Sequence, residues 1–355
     1  MASLRIVNRL VCRGFVVLTL LLVFFNECIV YYLAQSSWQP IDCKLDNCTR
    51  LLLIADPQIL GNSYDRSSHS PLARYDSDRY LQKTFERAVS FTQPHIIVFL
   101  GDLLDEGNIA TSQEYKQYVR RFKRIYQNKK LSNRVHVPGD NDIGGENGDY
   151  ISNSNQRRFE NEFMSEDLFD YDNRIRFFKI NRMLLDFTNP DRDHNAERLR
   201  IGVSHAPLLI GGGPLLRAII SDLDPHIIFT GHWHESRIFI YPSTKVINFY
   251  ENSVRHFDLK ALKEQEHSYL EIMVPTCSYR MGKSKIGMGY AVLENYNLSY
   301  TVLWQPNRFI LLFSYVFWGL FVVCGAVVYK MMTRCPFRVA KRQTLFNRVS
   351  TIPQF

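Results

Sequence analysis

Two uniformly apolar stretches stand near the ends of the chain, and strand-like runs alternating with amphipathic segments fill the middle. Residues 14–33 and 309–329 are each about twenty residues long, the length an α-helix needs to cross a hydrocarbon core. Asn26 and Glu27 interrupt the first stretch, whereas the second carries no formal charge. A cleaved signal peptide is the alternative for the first, but its length and the lack of a small-x-small cleavage site favour an uncleaved anchor. Between them, apolar runs at 51–55, 95–100, 134–137, 200–204 and 226–230 read as strands. Residues 112–127 place Tyr115, Tyr118, Val119, Phe122 and Tyr126 at helical spacing with Lys and Arg opposite, an amphipathic helix. Residues 80–91 and 215–223 also read as helices. Further strand-like runs follow at 237–241, 246–250, 270–274, 291–293 and 299–303. The order is α/β early and richer in β later, which predicts a layered sheet-and-helix domain. No internal repeat is present.

Composition narrows the class. The chain has 355 residues, of which 46% are hydrophobic and 22% charged, a balance that excludes a mainly disordered protein. The formal net charge of +8 suggests a nucleic-acid partner until its distribution is read. Residues 1–33 carry Arg5, Arg9 and Arg13 against Glu27; residues 330–355 carry Lys330, Arg334, Arg338, Lys341, Arg342 and Arg348 against no acid. Without these ends, the 43 bases and 35 acids fall to 34 of each. The imbalance therefore concerns membrane topology, and no nucleic-acid partner is expected. Bases outside both apolar stretches put the two ends in the cytosol and residues 34–308 across the membrane. Sequons at Asn47 and Asn297 fall in that segment and are candidate N-glycan sites. Cys43 and Cys48 can close a small loop, leaving Cys277 free, but spacing alone leaves the pairing open. The expected organisation is a cytosolic tail (1–13), a first span (14–33), a lumenal stem (34–49), a folded domain (50–305), a second span (309–329) and a basic cytosolic tail (330–355).

The five early strand-like runs share one property, which is that each ends in metal-competent side chains. The first runs into Asp56-Pro57-Gln58 and the second into Gly101-Asp102. The third meets Gly139-Asp140-Asn141-Asp142, the fourth Ser204-His205, and the fifth Gly231-His232-Trp233-His234. In an open α/β sheet the crevice lies beyond the carboxyl ends of the strands, so these five ends predict one shared rim. Glycines before Asp102, Asp140 and His232 permit tight turns and close backbone approach. Hard oxygens combined with imidazole nitrogens suit Mn²⁺, Fe²⁺ or Zn²⁺. Singly, a Gly-Asp turn, an Asp-Pro turn or a lone histidine is more often structural. The ordered set of five is what points to a metal site.

Over about residues 50–300 this set resembles the calcineurin-like metallophosphoesterases, whose ordered motifs are D-x-H, G-D, G-N-H-D/E, a histidine and G-H-x-H. The resemblance implies a layered β-sheet sandwich flanked by helices, here with one transmembrane helix at each end. It also implies two divalent ions, most often Mn²⁺ with Fe or Zn as alternatives. Asp56, Gln58, Asp102 and His234 would hold the first ion; Asp102, Asp140, His205 and His232 would hold the second, with Asp102 bridging. A hydroxide between the ions would attack phosphorus in line. The flanking G-D-L-L-D-E-G and D-N-D-I-G, with a span at each end, resemble the membrane branch that remodels glycosylphosphatidylinositol anchors in the endoplasmic reticulum and Golgi. That branch removes ethanolamine phosphate from a glycan mannose, so the implied partners are the bilayer and a lipid-linked phosphodiester. Three positions depart from the pattern. Gln58 replaces a histidine and Asp140 an asparagine. Asn141 replaces the histidine near the leaving-group oxygen, and an amide cannot deliver a proton at neutral pH. Asp102, Asn141 and Asp142 are the expected catalytic positions, with Asp142, His69 or His194 as substitute acids. The competing expectation is a metal-stabilised membrane receptor for anchored cargo or glycan, without turnover.

Overall fold

The computed structural model describes residues 2–45, 47–64, 67–128, 133–145, 150–164, 166–188, 198–243, 245–264 and 268–334, with backbone alone at 2–9 and 332–334. His194 and the basic tail beyond 334 lie outside the described residues. The chain divides into two compact units, one of residues 28–308 and one of residues 1–27 with 309–355.

The apolar stretches are helical. Helix α1 (Ala2–Phe24) runs through a π-helical turn, Phe25–Ile29, into α2 (Val30–Ser36), and a last helix spans Arg308–Arg334. Leu10–Ser36 and Arg308–Met331 are long and apolar enough to cross a membrane. Within the terminal unit the polar interruptions of the first stretch meet polar groups of the second. Asn26 Nδ2 donates to Ser314 Oγ at 2.6 Å, and Tyr315 donates to Glu27 Oε1 at 3.1 Å. Trp318 Nε1 donates to Thr19 Oγ1 at 2.9 Å. Polar side chains in apolar helices are satisfied in this way by a neighbouring helix rather than by solvent.

The larger unit contains fourteen strands among its described residues. In chain order they are β1 (Thr49–Ile54), β2 (Ile96–Leu100), β3 (Arg134–Val137), β4 (Leu168–Tyr171), β5 (Ile175–Asn181), β6 (Asp186–Phe187) and β7 (Leu199–Val203). Then come β8 (Ile227–Thr230), β9 (Arg237–Tyr241), β10 (Lys245–Asn248), β11 (Arg255–Asp258), β12 (Tyr269–Met273), β13 (Gly287–Glu294) and β14 (Asn297–Trp304). The helices are α3 (Ser70–Thr92), α4 (Ser112–Ile125), α5 (Asp140–Ile143), α6 (Asn153–Phe163), α7 (Pro214–Leu223) and α8 (Leu259–Glu264). One sheet has the order β11-β14-β13-β1-β2-β3; the other has β10-β9-β12-β8-β7-β5-β4, with β6 on β5. Strands β1, β2 and β3 are parallel, as are β5, β7, β8 and β12.

The sheets face each other across one apolar core. Leu51, Leu53, Val98 and Leu100 of the first sheet pack with Ile201, Val203, Phe229 and Ile272 of the second. The alternate residues point outward to helices. Phe99 lies 5.1 Å from the Phe122 ring of α4, and Phe178, Ile180 and Ile228 pack under Leu216, Ile219, Ile220 and Leu223 of α7. The layers run helix, sheet, sheet, helix, so both faces of the central strands are buried and their sequences are continuous apolar runs.

The five early strands lie within two residues of their expected bounds. Strands β4, β5 and β11 were not legible from the hydropathy pattern. Three of the four residues of β11 (RHFD) are polar and β4 (LFDY) carries an acid, as suits edge strands. Cys43 and Cys48 are disulfide-bonded, and Cys277 is free and buried.

Candidate metal centre

After β1, β2 and β8 the chain delivers its ligand side chains by abrupt turns, whereas Asp140 after β3 opens the short helix α5. Asp56, Gln58, Asp102, His232 and His234 have φ of 49°, 42°, 51°, 70° and 59°, the left-handed region that side-chain-bearing residues enter at a cost. Such strain persists only where the surroundings hold it, and it concentrates at functional sites. Two glycines make the turns sterically feasible. A Cβ on Gly101 would lie 2.5 Å from His205 Nδ1, and one on Gly139 would lie 2.1 Å from Asp102 Oδ1.

All seven expected ligand side chains meet in one cluster. His205 Nε2 lies 3.0 Å from Asp140 Oδ1 and 3.4 Å from Asp102 Oδ1, and its Nδ1 is 4.0 Å from Asp56 Oδ1. His232 Nδ1 lies 3.2 Å from Asp140 Oδ1 and 3.1 Å from His205 Nε2. His234 Nε2 is 3.6 Å from Asp56 Oδ1, and Gln58 Nε2 donates to Asp102 Oδ2 at 3.1 Å. Two groups have donor atoms mutually within 4.8 Å: Asp56, Asp102 and His205, and Asp140, His205 and His232. His205 is the member common to both, where the family resemblance puts Asp102.

The electrostatics call for a cation. Asp56, Asp102 and Asp140 are 0%, 2% and 4% exposed. Burial, then the charges of Asp140 and Asp56, push Asp102 up to about 6, against the pull of His205. Burial also opposes ionisation of Asp140, but hydrogen bonds from His205 and His232 outweigh it and hold that carboxyl below the usual range. Burial disfavours a charged His205, yet Asp102, Asp140 and Asp56 raise it well above an ordinary imidazole. Two buried atoms of the cluster have no hydrogen-bond partner among the described residues: Asp56 Oδ2 and His234 Nε2. A buried lone pair left unmade is costly, and a metal ion satisfies it. His205 Nδ1 donates to Leu100 O at 2.8 Å, which leaves Nε2 as the free donor atom facing the carboxylates. Exchanging the amide ends of Gln58 would likewise turn its oxygen inward. The residue set therefore fits a divalent metal centre.

Asn141 and Asp142, the two positions beside this cluster expected to be catalytic, are turned inward. Asn141 donates from its backbone N–H to Asp102 Oδ1 at 3.0 Å and from Nδ2 to Asp102 Oδ2 at 2.8 Å, so it clamps the central carboxylate. Asp142 is fully buried. It accepts from Leu103 N, Leu104 N and Gly139 N, each at 3.0 Å, and so ties the β2 and β3 turns together. Both of its oxygens are thus taken up by backbone donors. His69 sits at the start of α3, bonded to Ser67.

Two further buried carboxylates act on the same turns and were missed in the sequence. Glu106 accepts from the backbone of Asn62, Ser63 and Tyr64 beyond β1. Glu271 accepts from Leu208 N at 2.9 Å, Leu209 N at 2.7 Å and Thr230 Oγ1 at 2.9 Å. It thereby joins the loop after His205 to the strand end before His232. The signal for Glu271 is a lone acid inside the apolar strand Tyr-Leu-Glu-Ile-Met, on a face that a solvated reading assigns to water. Glu271→Gln keeps the shape but removes one acceptor, stranding a buried N–H. It should lower stability by about 1–3 kcal/mol and weaken metal affinity. Thermal unfolding of metal-loaded and chelator-stripped protein measures both effects.

The sequence profile described as calcineurin-like phosphoesterase matches residues 49–236, more than half of the chain. The chain belongs to the calcineurin-like phosphoesterase family. Among family members, it is 28% identical to Metallophosphoesterase 1 of Pongo abelii over 192 residues, 51% of this chain and 46% of that protein. It is 29% identical to the Danio rerio protein of that name over 123 residues, 34% of this chain and 31% of the relative. The matched region thus spans less than half the length of these relatives. Solved structures similar to this calcineurin-like chain include the purple acid phosphatase PPD1 of yellow lupin seeds. That match has 13% identity and a TM-score of 0.47, covering 73% of this chain and 52% of that one. A metallophosphoesterase from Sphaerobacter thermophilus matches with 14% identity and a TM-score of 0.36, covering 72% and 88%.

Proposed function

We propose that this protein is a membrane-anchored metallophosphoesterase that hydrolyses a phosphodiester carried on a lipid-linked glycan. The finer reading is removal of ethanolamine phosphate from a glycosylphosphatidylinositol anchor in the lumen of the endoplasmic reticulum or Golgi. Asp56, Gln58, Asp102, Asp140, His205, His232 and His234 would hold a pair of divalent ions, most plausibly Mn²⁺. Bound there, the ions would supply positive charge to the phosphoryl oxygens and acidify a water. Asp102, held by Gln58 and Asn141, sets the geometry. Asp142, Glu106 and Glu271 keep the five turns in register. The observation that carries this reading is the meeting of all seven side chains with two of their buried donor atoms unpartnered. The two apolar helices support the membrane anchorage.

A second reading rests on Asn141. Its amide is committed to Asp102 and offers no proton, which suits a metal-stabilised receptor without turnover. One experiment separates the two. The full chain, purified in detergent, is assayed for bound metal and for Mn²⁺-stimulated hydrolysis of bis(p-nitrophenyl) phosphate, alongside Asn141→His. Bound metal with wild-type turnover supports the enzyme. An inert wild type with a gain of turnover in Asn141→His supports the receptor. Absence of bound metal overturns both.

A further inference from the structure

A cavity of about 800 Å³ lies at the opposite end of the strands from the metal cluster. It opens at the N-terminal ends of β5, β7 and β8, beside the start of β1 and the end of β13. Thr49 on its wall and Asp56 in the metal cluster stand at the two ends of β1, about 20 Å apart along an extended chain. The cavity is therefore not the reaction cleft.

Its wall is basic. Arg174, Arg198, Arg200, Lys260 and Lys263 line it, against two carboxylates, Asp224 and Glu264. Four of the five are ion-paired: Lys263 with Asp224 at 2.8 Å and Lys260 with Glu264 at 3.9 Å within the wall, and the other two with acids outside it. Asp172 pairs with Arg174 at 2.5 Å and Asp170 with Arg198 at 3.4 Å, and neither lines the cavity. Arg200 is 9% exposed, and its Nε has no hydrogen-bond partner. Burial, then the positive charges of Lys263 and Arg200, push His226 down to about 4, so it lines the wall as a neutral ring. Asn47, Asn295 and Tyr296 add two amides and an aromatic face. Fixed cations suit an oxyanion, while amides, a neutral imidazole and an aromatic ring suit hydroxyls and a sugar face.

We infer that this cavity binds a sugar carrying a phosphate or sulfate ester, at a site separate from the metal centre. The test uses the full chain in detergent with glucose 6-sulfate as probe, followed by titration calorimetry, with glucose and inorganic sulfate as parallel ligands. Three results are expected. Glucose 6-sulfate binds at least tenfold more tightly than either parallel ligand. The affinity falls at least tenfold in the double variant Arg174→Gln, Arg198→Gln, whose side chains are partly exposed, so the fold is retained. The affinity is unchanged in Asp102→Asn. Lack of binding to the wild type overturns the inference, as does equal affinity for inorganic sulfate. Loss of binding in Asp102→Asn would assign the probe to the metal centre and overturn it as well. Because the readout is binding away from the metal ligands, failure here leaves the phosphoesterase reading intact.

Discussion

Asp102→Asn should abolish hydrolysis and release bound metal while leaving the chelator-stripped protein at least as stable as the stripped wild type. Three groups of the site meet on this carboxylate: Gln58 and Asn141 donate to it, and His205 lies 3.4 Å away. Removing its charge removes attraction for divalent ions at both halves of the cluster. The activity loss should exceed the roughly 10²–10³-fold that follows loss of a single transition-state contact. Stability moves the other way. Burial and neighbouring acids raise Asp102 to about 6, so its ionised form is a burden on the metal-free fold at neutral pH. A neutral amide of the same shape lifts that burden, and Gln58 and Asn141 can exchange their own amide ends to match it. Metal analysis, turnover and thermal unfolding with and without chelator test the three parts. Retained metal and turnover would show that another group joins the two halves, with His205 the candidate on geometry.

The strand ends and their side chains were legible in the sequence because the chemistry is local there: an apolar run stops and a ligand follows within a few residues. That all seven side chains meet was a topological expectation from parallel strands, and the parallel pairings of β1–β3 and β7–β8 fulfil it. What stayed hidden depends on partners distant in sequence. Glu271 looks like a solvated residue until α7 is seen to cover that face of its sheet. Asn141 invites comparison with a proton donor by its motif position, and only the folded turn shows both its N–H groups directed at Asp102, 39 residues away. The polar pair Asn26 and Glu27 reads as a flaw in an apolar stretch. It becomes intelligible once Ser314 and Tyr315 stand opposite.

Stripped of metal, the protein should lose stability as pH rises from about 6.5 to 8, and added Mn²⁺ should restore more stability at pH 8 than at pH 6.5. Below about pH 6.5 His136 and His226, lowered by burial to about 3 and about 4, gain stability with rising pH and oppose the loss; above it four groups set the sign. Burial, then the charges of nearby acids, raises Asp102 to about 6 and both Asp105 and Asp142 to about 7. Each binds a proton in the fold that it would have released in the unfolded chain, and stability then falls as pH rises through that window. His205, raised by its carboxylate neighbours, adds stability at low pH that is likewise lost on deprotonation. Asp140 is lowered, so its contribution disappears only in acid, below this window. One pKa unit corresponds to about 1.4 kcal/mol for each group. Metal binding needs the same groups deprotonated, so it draws on the states that high pH populates and its stabilisation grows with pH. Chelator-treated and Mn²⁺-loaded samples unfolded thermally at several pH values give both curves. A metal-free curve that rises between pH 6.5 and 8 would mean that the buried carboxylates carry their charge without penalty. The cluster would then already be neutralised by its own histidines and would have no electrostatic need of a cation.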